Sequence, residues 1–187
     1  MSLQTILSRI QLLDHQWLSK AQSRLDRLTK PLGSLGRLEE LAACYVMITG
    51  ELKPNVPRGA VFTFAADHGV ATEGVSAYPR EVTPQMVLNF LRGGAGVNVL
   101  ARHAGMDVRV VDIGVAYDFG TVAGLTQKKV MHGTGNLLVE PAMTRAQAEQ
   151  AIEVGIDLAA QAAQEGIGLI GTGDMGIGNT TDRKSVV

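Results

Sequence analysis

"AVFTFAADHG" (residues 60–69) decides the fold. Its first seven residues, 60–66, are apolar or β-branched almost throughout and carry no charge. The run is too short for an ordinary helix, and it does not alternate between apolar and polar. It reads as a strand buried on both faces, and such strands belong to parallel sheets covered by helices. Two more segments share its character, "DVRVVDIGV" (107–115) and "IGLIG" (167–171). Helical patterns fill the gaps. Thr83-Pro84 is a helix start, with proline at the first helical position. The pattern runs to Leu91, pauses at Gly93-Gly94, resumes and stops at Gly105. Thr144 and Gln147 form a capping box, and the helix they open runs to Gly166. Strand, helix, strand, helix, strand is the grammar of a parallel α/β sheet.

The N-terminal part is different. Ile6, Ile10, Leu13, Trp17, Ala21, Leu25 and Leu28 fall at steps of three and four, which predicts one amphipathic helix over 4–28. Pro31 and Gly33 stop it. Ser34 is placed to cap a second helix carrying Leu35, Leu38, Leu41, Ala42, Tyr45 and Val46 on one face. Gly50, Pro54 and Pro57 end that helix and make a linker. The expected division is an N-terminal helical segment, 1–52, and a parallel α/β domain, 58–187.

The 187 residues suffice for a sizeable core, and 45% hydrophobic with 19% charged residues is ordinary globular composition. A net charge of −1 gives no electrostatic footprint for nucleic acid. No run of about 18 apolar residues predicts a membrane span. The N-terminus lacks a signal-peptide layout. One cysteine, Cys44, excludes an internal disulfide and a cysteine metal cage, and a cytoplasmic setting is expected.

In parallel α/β sheets, ligands bind at the carboxyl ends of the strands. The three predicted strands end in "ADHG" (66–69), "DIGV" (112–115) and "GTGD" (171–174), each with an acid and a glycine. Three such endings on one edge point to a small-molecule site, although Asp and Gly also favour turns. Gly171, Gly173 and Gly176 spell G-x-G-x-x-G within "GTGDMGIGNTT" (171–181). A dinucleotide fingerprint needs the helix to start at the third glycine and an acid about 20 residues further on. Here Gly178 discourages helix, and no such acid follows within the chain. An anion cradle of backbone N–H groups and a plain tight turn both remain open. The four histidines, His15, His68, His103 and His132, have no second ligand at i, i+4, so no metal site is expected. Asp67 and His68, at a strand end, are pocket-lining candidates, a hydrogen-bonded structural histidine being equally open.

Five ordered blocks carry a resemblance: "KPLGSLGRLEELA" (30–42), "AADHGVATEGVSAYPREVTPQMVLNFLRGGAGVNVLAR" (65–102), "DVRVVDIGV" (107–115), "GTGN" (133–136) and "GTGDMGIGNTT" (171–181). Together they resemble the nicotinate-nucleotide–dimethylbenzimidazole phosphoribosyltransferase family. The resemblance implies a Rossmann-like parallel sheet flanked by helices and a smaller helical domain. It implies a homodimer and transfer of phosphoribose from nicotinate mononucleotide to 5,6-dimethylbenzimidazole, giving α-ribazole 5′-phosphate and nicotinate. It implies no cofactor and no metal. By the same resemblance, Gly173, Gly176 and Asn179 belong to the phosphate side, and Asp174 is the catalytic candidate where the family often has glutamate. Ser76, Tyr78 and Met86 belong to the aromatic-base pocket, with serine and glutamine in some members where Tyr78 and Met86 stand. Family members run to roughly twice this length, with the general-base glutamate and a phosphate-side lysine beyond residue 187. The ending "DRKSVV" departs from the family pattern and reads as truncated. The alternatives are a truncated non-catalytic copy that binds nucleotide without turnover, and a dinucleotide-dependent oxidoreductase.

Overall fold

The computed structural model describes residues 3–55 and 58–184. The chain forms two compact units, Gln4–Val56 and Pro57–Val187 with Met1–Leu3.

The larger unit is built on strands β1 (Arg58–Ala66), β2 (Asp107–Gly114), β3 (Leu125–Gln127) and β4 (Ile167–Met175). They form one sheet in the order β3-β2-β1-β4, and every neighbouring pair is parallel. β1 is therefore interior, with Val61 opposite Val108 on one side and Gly171 on the other. That position explains its sequence, since both of its faces are covered. One core cluster joins Ala60 and Phe62 of β1 to Val111, Leu158, Ala162 and Ile167. The other joins Ala65 to Val87, Phe90, Ala95, Val110 and Val115.

The small unit holds helices α2 (Gln16–Asp26) and α3 (Arg37–Thr49), packed through Ala21, Ala43, Val46 and Trp17. A short α1 (Leu3–Leu7) opens the chain. The larger unit adds α4 (Val82–Arg92), α5 (Gly96–His103), α6 (Arg145–Gln164) and α7 (Asn179–Lys184). α4 and α5 connect β1 to β2, and α6 connects β3 to β4 on the far side of β1. The strand order therefore reverses between β1 and β4, and a crevice opens at their carboxyl ends.

Several expectations are corrected. The single helix over 4–28 is two helices with an irregular stretch between. Ser8 Oγ donates to the Thr5 carbonyl at 2.9 Å, and Asp14 Oδ1 accepts the Gln16 N–H at 2.9 Å. These local bonds compete with helix continuation. Ser34 does not cap α3. The turn before it is held from inside by Glu39, whose Oε1 accepts the Leu35 N–H at 3.1 Å and lies 2.8 Å from Lys30 Nζ. α4 begins at Val82, and the Thr83 hydroxyl accepts the Ile177 N–H at 3.1 Å instead of capping its own helix. β3 lies in a stretch read as irregular, because three residues carry too little periodicity to show. Of the linker prolines, Pro57 lies outside the described residues, as does the end of "DRKSVV".

The packing makes two measurable claims. A Cβ on Gly176 would sit 2.0 Å from the Ala66 carbonyl oxygen, which is backbone and cannot yield cheaply. Gly176→Ala should cost about 2–3 kcal/mol of stability, read as a lowered urea midpoint with unchanged slope. In the small unit, the Lys30 side chain, then the Leu35 N–H, holds the Glu39 carboxyl below its ordinary value. A carboxyl depressed in the folded state stabilises above its unfolded pKa and loses that contribution as pH falls through its folded one. Unfolding of wild type monitored at decreasing pH should show this acid-side loss, and Glu39→Gln should remove that portion of the slope.

Candidate active site

The acids at the strand ends have three different environments. Asp112, at the end of β2, is buried and fully used. Its Oδ1 accepts the Val115 N–H at 2.8 Å, and Lys129 Nζ lies 3.2 Å from its Oδ2. Lys129 also donates to the Tyr117 carbonyl at 2.8 Å, so this pair anchors the turn after β2. Asp67, just past β1, is also buried, at 3% exposure. Its Oδ2 accepts the Ala116 N–H at 2.7 Å, and its Oδ1 is buried with no hydrogen-bond partner among the described residues. Asp174, near the end of β4, is exposed, and its Oδ2 accepts from Asn179 Nδ2 at 2.6 Å. The three residues thus run from structural anchor to available carboxylate.

Two clefts flank the end of β1. Asp67 lines one, of about 400 Å³, with Arg80, Glu81, Gln85, Leu88 and Tyr117. The adjacent His68 lines the other, of about 650 Å³, with Thr172, Gly173, Asp174, Asn179 and Asp182. His68 Nδ1 pairs with Asp182 Oδ2. Thr134 Oγ1 lies 3.4 Å from the same carboxylate oxygen and accepts the Gly69 N–H at 3.3 Å. The loop around Thr134 is tied to the sheet ends, with the Gly133 N–H on the Gly114 carbonyl and the Thr134 N–H on that of Asp67, both at 2.9 Å.

The glycine motif is not laid out as a dinucleotide fingerprint. Gly171 and Gly173 lie inside β4, and only Gly176 and Gly178 lie in the turn behind it. Gly176 is required by close approach to β1, and Gly178 by its φ of +92°. The turn's amides are partly spent: Ile177 N–H on Thr83, and Asn179 N–H on the Gly176 carbonyl at 3.0 Å. With Asp174 and Asp182 also present, this cleft offers acceptors more than donors. It suits sugar hydroxyls better than a bare anion.

Gly173, Asp174, Asn179 and His68 thus share one cleft, with Gly176 packed against the His68 ring. Asp67 belongs to the other. Ser76 and Tyr78 sit on the loop before α4, where Ser76 Oγ accepts the Tyr78 N–H at 3.2 Å and the Tyr78 ring is exposed. Met86 packs against the core cluster around Val87, and its neighbours Gln85 and Leu88 face the cleft. Sequence reasoning did not single out Tyr117 or Thr134, and it reached Arg80, Thr83 and Gln85 only as part of the segment from Ser76 to Met86 that the resemblance assigns to the base-pocket wall, Thr83 also as a helix start. A signal existed for part of this set: Glu81, just before α4, and Pro84, Gln85 and Leu88 within it fall at i, i+3, i+4, i+7. Thr83, Thr134 and Tyr117 gave none, because their contacts come from distant parts of the chain. Among the described residues, no group of three or more His, Cys, Asp or Glu could hold a metal ion, and no helix is long and apolar enough to cross a membrane.

A family model described as "Phosphoribosyltransferase" matches residues 10–186. The nicotinate-nucleotide–dimethylbenzimidazole phosphoribosyltransferase of Geobacter sulfurreducens is 61% identical over 181 residues, covering 97% of this chain and 51% of the relative. That of Geotalea uraniireducens is 60% identical over 185 residues, covering 99% and 53%. The crystal structure of the corresponding enzyme from Thermus thermophilus superposes with a TM-score of 0.86 at 51% identity, over 90% of this chain and 51% of that one. The chain spans about half the length of the curated relatives it matches. A parallel sheet whose switch point carries two clefts, matched along nearly its whole length by this family, makes the chain a member of the phosphoribosyltransferase family.

Proposed function

We propose that this chain serves phosphoribosyl transfer from nicotinate mononucleotide to 5,6-dimethylbenzimidazole, giving α-ribazole 5′-phosphate and nicotinate. The observation that carries the reading is the match of residues 10–186 to a phosphoribosyltransferase family, in a chain whose strand ends open into clefts of small-molecule size. Nicotinate is a cationic pyridinium while joined to the sugar, so it leaves as a neutral ring nitrogen and needs no proton from an acid. The acceptor's bare imidazole nitrogen forms the new bond to the sugar carbon as the bond to nicotinate breaks, and the N–H proton on its other nitrogen passes to a base or to water. Positive charge builds at the sugar carbon in between. A carboxylate fixed nearby stabilises that charge, and it does so best when held in place beforehand. Asp174 has this character, with Asn179 holding one oxygen and Oδ1 left for a ribose hydroxyl. Asn179 is then a positioning residue. Gly173 lines the cleft without a side chain and leaves room for the sugar beside β4, and Gly176 serves indirectly, by letting the turn after β4 close against Ala66 and the His68 ring. On the base side, Ser76 and Tyr78 stand on the loop before α4, and Met86 acts only from behind the cleft wall, through the core on which Gln85 and Leu88 are seated.

The partner is a second copy of the chain. α3 leaves Leu38, Leu41 and Ile48 exposed at helical spacing, and contiguous apolar surface of this kind marks an interaction face. A cytoplasmic location fits the exposed, unpaired Cys44.

Incubation with both substrates should yield α-ribazole 5′-phosphate by mass. Asp174→Ala should lower the rate by roughly 100-fold, as loss of one fixed electrostatic group does. Saturable binding of NAD without binding of nicotinate mononucleotide would overturn the reading. By sedimentation, the chain should run at twice its own mass, and Leu41→Glu should shift it toward monomer.

A further inference from the structure

We propose that Lys129, which lies outside the lining of both clefts, is a positioning residue: it holds the turn after β2 so that Tyr117 forms a fixed wall of the cleft beside α4. The inference rests on the transfer reading above, in which a substrate brings a flat ring to that cleft. An ammonium carries three N–H donors. Three oxygens surround that of Lys129: Asp112 Oδ2 at 3.2 Å, the Tyr117 carbonyl at 2.8 Å and the Val115 carbonyl. The side chain starts from fixed backbone, because the Lys128 N–H donates to the Asp112 carbonyl and the Val130 N–H to that of Ile113, both at 2.9 Å. Neutralising the buried Asp112 carboxylate accounts for one of the three contacts. The other two act on the turn. They bracket Ala116, whose own N–H donates to Asp67 Oδ2 at 2.7 Å. The turn is thus clamped between a cation from beyond β3 and an anion from the end of β1.

What the turn carries into the cleft is Tyr117, which is 50% exposed. Its ring meets the Phe119 ring edge-on, with centroids 5.0 Å apart, and Phe119 packs against the core around Val110 and Val115. Lys129 holds the backbone and Phe119 holds the ring. An aromatic side chain left half in the open on a clamped turn is preorganised, and a ligand that stacks on it is spared the entropy of ordering the loop. Without the two carbonyl contacts, that ordering would oppose binding. Lys129 therefore acts on the ligand through Tyr117, and no bond is made or broken at either residue.

The test compares pyrazole with indazole, two neutral ligands that differ by one fused six-membered ring. Binding to this chain is followed by the amide shifts of Ala116 and Tyr117. Asp112→Asn/Lys129→Met removes the ammonium together with its counterion, so no unpaired charge is buried, and asparagine keeps an acceptor for the Val115 N–H. In this variant the preference for indazole over pyrazole should fall by about three- to tenfold, the size of one lost aromatic contact. Tyr117→Ala should lower it as far, and combining the two should lower it no further, because both act through one ring. A merely structural Lys129 would lower the urea midpoint and leave the preference within about twofold of wild type, which would overturn the proposal. Additive losses in the combined variant would overturn it as well. The wild type gives a check that needs no variant: the Ala116 and Tyr117 amides should have order parameters of about 0.85, and values below about 0.6 would overturn the fixed wall. Failure of both ligands to shift the wild-type amides would overturn the cleft as a ring site, and the role of Lys129 with it. Detection of α-ribazole 5′-phosphate tests the transfer reading separately.

Discussion

The carboxyl edge depends on how closely the end of β4 approaches the end of β1. The two strands are in parallel register through Ala65 and Met175, and the chain then turns at Gly176 against the Ala66 carbonyl. No side chain fits in that gap. The turn is pinned again by Thr83, whose hydroxyl takes the Ile177 N–H from the start of α4. One close backbone approach therefore sets where Asp174, Asn179 and the start of α7 lie relative to Asp67 and His68. Removing the slack from this junction is what lets exposed polar groups on separate connections hold fixed positions.

Asp67 and His68 are adjacent in sequence and line different clefts. This follows from extended backbone, in which successive side chains point to opposite sides. His68 keeps an extended conformation, with φ −121° and ψ 125°, immediately before the 3₁₀ turn Gly69–Glu73. One strand end thereby borders two clefts. Their polar character differs because their neighbours differ. The cleft on the His68 side draws its carboxylates from β4 and α7, and the cleft on the Asp67 side draws its walls from α4 and the turn after β2.

The sequence made the three longer strands, the paired helices α4 and α5, and the capped α6 legible, because each rests on a local pattern. Thr144 and Gln147 form the expected capping box at the start of α6. What failed was local chemistry overruled by other local chemistry, or by distance. The helix over 4–28 was broken by short polar side chains bonding nearby backbone. Thr83 carried a cap signature and was taken by a partner 94 residues away. β3 is three residues long and exists through pairing with Val110, Val111 and Asp112 of β2. In the site, the acids at the strand ends were visible as residues, but their division of labour was not.

That division is the more general point about this edge. Three Asp residues lie near the carboxyl ends of neighbouring parallel strands, and composition cannot rank them. Hydrogen-bond accounting can. Asp112 is buried with both oxygens used, so its removal would be a matter of folding. Asp174 is exposed, so water satisfies it until a ligand displaces that water, and its conformation is held by Asn179. Asp67 lies between these, buried like the first and incompletely bonded like the second. A buried polar atom without a partner carries a cost in the folded protein, and Asp67 Oδ1 is itself buried, so that cost belongs to the packing at the end of β1. Exposure therefore separates the two incompletely bonded acids. Asp174 can exchange water for another partner with little loss, whereas Asp67 is fixed by the Ala116 N–H and enclosed by the residues around it.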